Sequence, residues 1–285
     1  SATVTASSRN IYSYDPDNST GIPFQWPSDY TTLAAGSDLN STMVQGLLAN
    51  APYAWDTAVA AEQAANQTYG AELVAYLRGD SSSAGSYNGA FRSRKTVLGD
   101  IVNSNPAFVG GRDFGFKSLP GTEGTDYLTY RNTTTYKTRA PVVYVGANDG
   151  MLHAIDMETG EEKFAYMPYA AFSIENGRGI RQLADQNYVH QYYVDATPVA
   201  RDVHVQLGDE DAPGWHSVLL GGLGAGGKAV YMLDITDPEG FESLGESDGT
   251  SPAEIVQWEF THEDLGYTFS DIQVARLDDG KWYAI

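Results

Sequence analysis

Three short stretches of this chain carry side chains in arrangements able to do chemistry. Arg78-Gly79-Asp80 sets a cation and a carboxylate on either side of a residue that turns freely. Presented at a sharp turn, such a tripeptide can lend its carboxylate to a metal site on an integrin-type receptor, so Arg78, Gly79 and Asp80 are candidate receptor-binding residues. The same residues also suit a helix stop. Residues 73–77 read as a helix end, Arg78 complements the negative pole of the dipole, and Gly79 fits the left-handed position that follows. The serine- and glycine-rich stretch 80–89 reads as a loop that would expose the tripeptide.

The second stretch is Asp15-Pro16-Asp17-Asn18-Ser19-Thr20-Gly21. Calcium loops space oxygen donors so that alternate side chains face one centre, with a glycine at the bend. Asp15, Asp17 and Asn18 are therefore candidate metal ligands. The twelfth position counted from Asp15 holds Trp26 where a calcium loop would place Glu, so a turn held by Asx hydrogen bonds is the simpler reading. The third stretch, Asp209-Glu210-Asp211, adds Asp209 and Asp211 as candidate ligands in a loop between two expected strands. It is short of donors and, like the Asp15 loop, is best regarded as an acidic turn. Calcium is the one cofactor these loops suggest.

Other chemistry is excluded residue by residue. Residues 221–228 (GGLGAGGK) lack the Lys-Ser/Thr ending of a phosphate loop, since Ala229 follows the lysine. The five histidines form no H-x-H or H-E-x-x-H pair. His153 alternates with apolar neighbours on an expected strand and reads as packed or satisfied locally. No serine sits in a G-x-S-x-G elbow, and there is no cysteine to act as nucleophile, thiolate ligand or disulfide. No catalytic residue is assigned, and an enzyme is not expected.

These residues must be held by a β-rich scaffold. Residues 142–168 (VVYVGANDGMLHAIDMETGEEKFAYMP) read as three consecutive antiparallel strands, joined by an Asn-Asp-Gly hairpin turn and a Glu-Thr-Gly turn. The order repeats over residues 217–260, where Leu233-Asp234 matches Ile155-Asp156 and Trp258 matches Phe164. A lead-in strand recurs at 104–109, 196–200 and 270–275. Such a unit fits a quinoprotein-type β-propeller, with the last-strand aromatic docking between neighbouring blades. The expected fold is mainly β: a partial β-propeller of four-stranded antiparallel blades, preceded by a small loop and helical segment. The boundary is placed so that 1–97 form that N-terminal segment and 98–285 the blades. Two to three blades do not close a ring of typically four to eight, so the remainder of a longer polypeptide is expected to complete it.

Before the blades, a strand is expected at 10–14 with loop around it. Helix is expected over about 41–78, capped at Asp56 or Thr57, and β-structure from Thr96 onward. Insertions at 169–187 and 237–252 should lie at the rims, where binding surfaces usually sit. The chain has 285 residues, 42% of them hydrophobic, and a formal net charge of −20. That balance argues against nucleic acid, which needs a basic footprint, and against anionic membrane surfaces. No run approaches a membrane span.

Residues 76–80 (YLRGD), 91–110 (FRSRKTVLGDIVNSNPAFVG), 142–156, 192–203 (YYVDATPVARDV), 219–236 (LLGGLGAGGKAVYMLDIT) and 265–285 together resemble the C-terminal region of the PilC/PilY family. The match keeps its order over most of 76–285 and is loose before that. The resemblance implies a non-catalytic type IV pilus assembly factor and tip-associated adhesin, supporting extrusion against retraction and attachment to host cells or surfaces. It implies a location outside a Gram-negative cell, at the outer surface or pilus tip, with pilins or minor pilins as partners and a host receptor such as an integrin. Some family members also carry a calcium loop in a later blade, which is expected to lie after the residues of this sequence. The alternatives are a general envelope scaffold and a quinoprotein-type dehydrogenase. The dehydrogenase would need a stacking tryptophan, a basic residue at the quinone and bound calcium, and the vicinal cysteines of many such enzymes are excluded here.

Overall fold

The β-branched and aromatic runs do form strands, and the glycine turns close them. The computed structural model describes residues 6–80, 91–173, 179–208, 210–243 and 251–285. The first blade pairs β3 (Ala107–Val109), β4 (Val142–Gly146), β5 (Leu152–Asp156) and β6 (Glu162–Tyr166), each antiparallel to the next. Gly150 takes φ 94° in the first turn and Gly160 takes φ 73° in the second, a region that glycine enters without a Cβ clash. Asp156 braces the second turn by accepting the Glu158 and Thr159 N–H groups at 2.8 and 2.9 Å.

The second blade repeats the plan with β7 (Val199–Val205), β8 (Gly214–Gly222), β9 (Val230–Asp234) and β10 (Val256–Phe260). A two-stranded hairpin, β11 (Val274–Arg276) and β12 (Trp282–Ala284), follows. Between the two blades lies a core in which Tyr144, Phe164, Tyr166, Tyr231 and Leu233 are all at most 1% exposed.

The first blade is wider than expected. β1 (Ile11–Asp15) runs parallel to β6, and β2 (Thr20–Pro23) pairs antiparallel to β1, giving a six-stranded sheet ordered β2-β1-β6-β5-β4-β3. β1 falls where a strand is expected, and β2 forms where loop is expected. Its residues, Thr-Gly-Ile-Pro, include two that strands disfavour. Tertiary context overrides that preference: Ile22 is fully buried, and Gly21 leaves room for the backbone of Pro252, whose oxygen a Cβ would meet at 2.2 Å.

Three further expectations are corrected. The N-terminal helix is two helices, α1 (Ser41–Leu48) and α2 (Ala60–Leu77). Asn40 caps α1 by accepting the Met43 N–H at 3.0 Å, and Val59 stands at the cap of α2 in place of Asp56 or Thr57. The stretch read as continuously β holds two helices between β3 and β4: α3 (Glu123–Arg131) and α4 (Thr134–Thr138). Their surfaces are polar almost all round, so no apolar period announced them. Tyrosines anchor them instead: Tyr127 and Tyr136 are buried against the second blade.

The 221–228 glycines join β8 to β9, as expected of a wide connection. Gly226 comes close enough to the 191–195 segment that an added Cβ would stand 1.7 Å from the Tyr193 carbonyl oxygen. Gly226→Ala should therefore cost about 1–3 kcal/mol through overpacking, read by urea denaturation. Gly266→Ala, with open space where its Cβ would go, should be near neutral.

Candidate functional site

The turns and returns of both blades gather at one end of the sheets. There the Asn148 side chain accepts the Tyr193 N–H at 3.0 Å and donates to Asp100, while the Asn148 N–H donates to the Asp100 carbonyl at 3.0 Å. Asp195 accepts both the backbone N–H and the side-chain amide of Asn103, at 3.1 and 2.6 Å. In the second blade Thr268 takes the equivalent part, accepting the Leu223 N–H at 2.8 Å and the Gly224 N–H at 3.2 Å. The motifs at 99–105, 148–150, 193–197 and 221–228 thus lock successive loop layers together.

Beneath this end runs a buried ionic chain. His153 is 2% exposed and donates from Nδ1 to Glu162 at 2.6 Å and from Nε2 to Asp149 at 3.1 Å. Facing two carboxylates, both ring nitrogens must carry protons, which is the imidazolium. Burial works against that charge, but Asp149 and Glu162 outweigh it and push the ring up to about 9. Burial likewise opposes ionised Glu162, and His153 and Arg9 overcome it, holding the carboxyl down at about 2. Arg9 grips Glu162 through two bonds of 2.7 and 2.8 Å and donates a third to the Arg78 carbonyl at 2.8 Å. Asp149 also accepts the Gly99 N–H at 2.8 Å. One chain of charges therefore ties the segment leading into β1, the end of α2, the first blade and residue 99.

Two other buried carboxylates join the blades without a cation of their own at the carboxylate. Asp202 on β7 accepts from Tyr127 and Tyr136 at 3.0 and 2.8 Å and from Ser217 at 2.6 Å. Glu259 on β10 accepts from the Tyr166 hydroxyl at 2.7 Å and from the N–H groups of Tyr169 and Ala170 at 2.8 and 2.9 Å. Burial raises the pKa of both. Hydroxyls and backbone amides hold both carboxylates in place.

The sequence-proposed sites fare differently from one another. Arg78 is 8% exposed, and its guanidinium donates to the carbonyls of Ala6, Phe24 and Arg9 at 3.2, 2.7 and 2.5 Å. Burial, then repulsion from Arg9, lowers its pKa. Gly79 takes φ 110°, its N–H bonds the Tyr76 carbonyl, and the Asp80 N–H bonds the Ala75 carbonyl. That pair of bonds is a Schellman stop. The cation of the tripeptide faces inward, so as placed Arg78 has nothing to offer a receptor; residues 81–89, expected to display it, lie outside the described residues. Arg78→Ala should strand buried carbonyls and cost at least about 1–3 kcal/mol, and Arg78→Lys should not restore the loss, because an ammonium lacks the planar fork. Thermal melting of both variants checks this.

Asp15 is 1% exposed at the end of β1. It accepts the Asp17 N–H at 3.1 Å, the Asn18 amide at 2.6 Å and the Asn40 amide at 3.0 Å. Asn40 also donates to Asp17 at 3.1 Å. The three candidate ligands do converge, but amide N–H groups occupy the lone pairs a cation would need, and the loop is a hydrogen-bonded hairpin turn. Asp209 lies outside the described residues, and Asp211 is exposed. Among the described residues, the one trio of metal-type side chains within reach of each other is His262, Glu263 and Asp264, all exposed.

A cleft of about 740 Å³ opens at the loop end between α1, the β6–β7 return, the glycine connection and the β10–β11 return. Tyr169, Tyr192, Lys228 and Tyr267 line it. Sequence reasoning missed it because four separate segments contribute; the glycine run was its one local signal.

Comparison with known proteins places this architecture. The family described as the PilY1 β-propeller domain matches residues 98–285. The Type IV pilus biogenesis factor PilY1 of Pseudomonas aeruginosa (strain UCBPP-PA14) is 41% identical over 219 residues, covering 76% of this chain and 17% of the relative. A PilY1 homolog of Xylella fastidiosa (strain Temecula1) is 40% identical over 226 residues, covering 77% of this chain and 16% of the relative. The chain thus spans about a sixth of the length of these curated relatives. The crystal structure of the Pseudomonas aeruginosa PilY1 C-terminal domain is 38% identical, covers 62% of this chain and 30% of that chain, and superposes with a TM-score of 0.42. No helix among the described residues is long and apolar enough to cross a membrane. With the family match running through both blades and the hairpin that follows them, this chain belongs to the PilY1 β-propeller family.

Proposed function

We propose that this chain is the propeller portion of a type IV pilus biogenesis factor. In this reading it has no catalytic role. It acts at the outer surface or pilus tip of a Gram-negative cell, supports pilus extension against retraction, engages pilins or minor pilins, and contributes to attachment. The observation that carries the reading is the family match over 98–285, whose motif residues serve as the locks between loop layers. The locking residues support a rigid scaffold, since their polar groups are spent on one another. Attachment in this reading does not run through Arg78, whose guanidinium is buried against backbone carbonyls.

The test is a count of surface pili in the source bacterium with and without the full gene, in backgrounds with and without the retraction motor. Pili should vanish on deletion and return when retraction is blocked. Unchanged pili in every background would overturn the biogenesis reading and leave an envelope scaffold or a pure adhesin.

A further inference from the structure

The connection between α1 and α2 is fixed at its backbone and open at its side chains. Asn66 on α2 is fully buried and donates its amide to the carbonyls of Tyr53 and Ala54 at 3.3 and 3.0 Å. Gln63 donates to the Thr57 carbonyl at 2.8 Å, and the Thr57 N–H closes a turn on the Ala54 carbonyl at 3.2 Å. Yet Tyr53, Trp55 and Val59 are 43%, 38% and 54% exposed, and Asp56 is exposed among them. Among the described residues, no hydrogen bond, ion pair or ring contact engages the Tyr53 hydroxyl, the Trp55 indole or the Asp56 carboxylate. The charge around them is one-sided. Residues 10–77, which supply this loop and both helices, hold seven carboxylates and no lysine, arginine or histidine. Among the described residues, none of the seven is in an ion pair.

Each feature selects a property of a partner. The face of an indole or phenol ring attracts a guanidinium or ammonium. A free carboxylate beside such rings adds a charge-assisted bond to the same cation. Uncompensated negative charge steers a cationic partner in and turns an anionic one away. It also disfavours an anionic lipid surface. A backbone already locked by Asn66 and Gln63 has little freedom left to lose on binding. We infer that the α1–α2 connection is a docking site for an arginine- or lysine-rich segment of a partner protein, received on Tyr53 and Trp55 with a cation at Asp56. The site lies outside the residues 98–285 that the family model matches, and it does not rest on the pilus reading.

Titration calorimetry of the chain with a short peptide of alternating arginine and serine tests it, with the glutamate–serine peptide as counterpart. The basic peptide should bind saturably with a Kd below about 1 mM, and the acidic one should not bind. Trp55→Ala should weaken the binding about threefold to tenfold, and Asp56→Asn should weaken it about threefold. Both side chains are exposed, so circular dichroism and melting should stay unchanged. Glu161→Gln removes the same charge from an exposed turn of the first blade and should leave the affinity unaltered. Absence of saturable binding, an affinity indifferent to Trp55→Ala, or a loss in Glu161→Gln equal to that in Asp56→Asn would each overturn the assignment, the last by showing attraction to net charge alone. Binding to phosphatidylcholine vesicles in place of the peptide would make the loop a lipid contact and overturn it as well.

Discussion

Phe164→Ala should cost this chain about 3–5 kcal/mol, the largest effect expected of any single aromatic truncation between the blades. The ring is fully buried on β6 and meets Phe241 from the second blade edge-on, with centroids 4.8 Å apart. It also packs against Tyr12 from β1 at 5.9 Å and Tyr144 from β4 at 6.3 Å. Its removal opens a cavity shared by both blades and the N-terminal strand, and no single element can collapse to fill it. Trp258 holds the matching place in the second blade, but it is only partly covered and borders an open groove beside Val274 and Trp282. Trp258→Ala should therefore cost about 1–2 kcal/mol. Urea denaturation of the two variants side by side gives the comparison. Equal losses would mean that the repeat, and not the burial, sets the energy.

Arg9→Ala should be comparably severe, about 3–5 kcal/mol, because it takes from a buried carboxylate the bidentate one of its two cations and leaves the charge under-compensated. Arg9 and Glu162 are 6% and 14% exposed at their side chains, so solvent cannot take over the role. The same chain of charges predicts a pH dependence with a definite sign. His153 rises from 6.5 to about 9 on folding. Its contribution is fully present below 6.5 and is lost as pH climbs through about 9. Glu162 falls from 4.5 to about 2, so its contribution is present above 4.5 and is lost as pH falls through about 2. The network should be strongest between about 4.5 and 6.5. Stability profiles of the parent and of His153→Gln, subtracted from each other, isolate the alkaline limb from the general repulsion of a chain at −20. A difference that stays flat from pH 6 to pH 10 would show that the imidazolium is not the species the fold holds.

Local patterns carried much of this architecture. The Asn-Asp-Gly and Glu-Thr-Gly turns could be read because a left-handed position between two β-branched runs has few other meanings, and Gly150 and Gly160 occupy it. The repeat was legible because blades are built alike, so Phe164 and Trp258 could be paired before any contact was known. His153 could be read as locally satisfied, since its partners Asp149 and Glu162 stand four and nine residues away. The polar helices α3 and α4 could not be read. Their stability comes from tyrosines bonded to Asp202, 66 and 75 residues distant, and not from an apolar face.

The sequence alone, then, determined the blade, its turns and its family, because each rests on interactions between near neighbours in the chain. Only the tertiary structure decided which way the candidate residues face. Arg78 reads first as a helix stop, and a receptor contact stays open beside it until the carbonyls of Ala6, Arg9 and Phe24 surround its guanidinium. Asp15 reads as an Asx-turn residue with calcium as the lesser alternative, and Asn40, 25 residues on, supplies an N–H to its carboxylate. Burial and partner choice are set by residues brought together across the fold, and no local spacing records them.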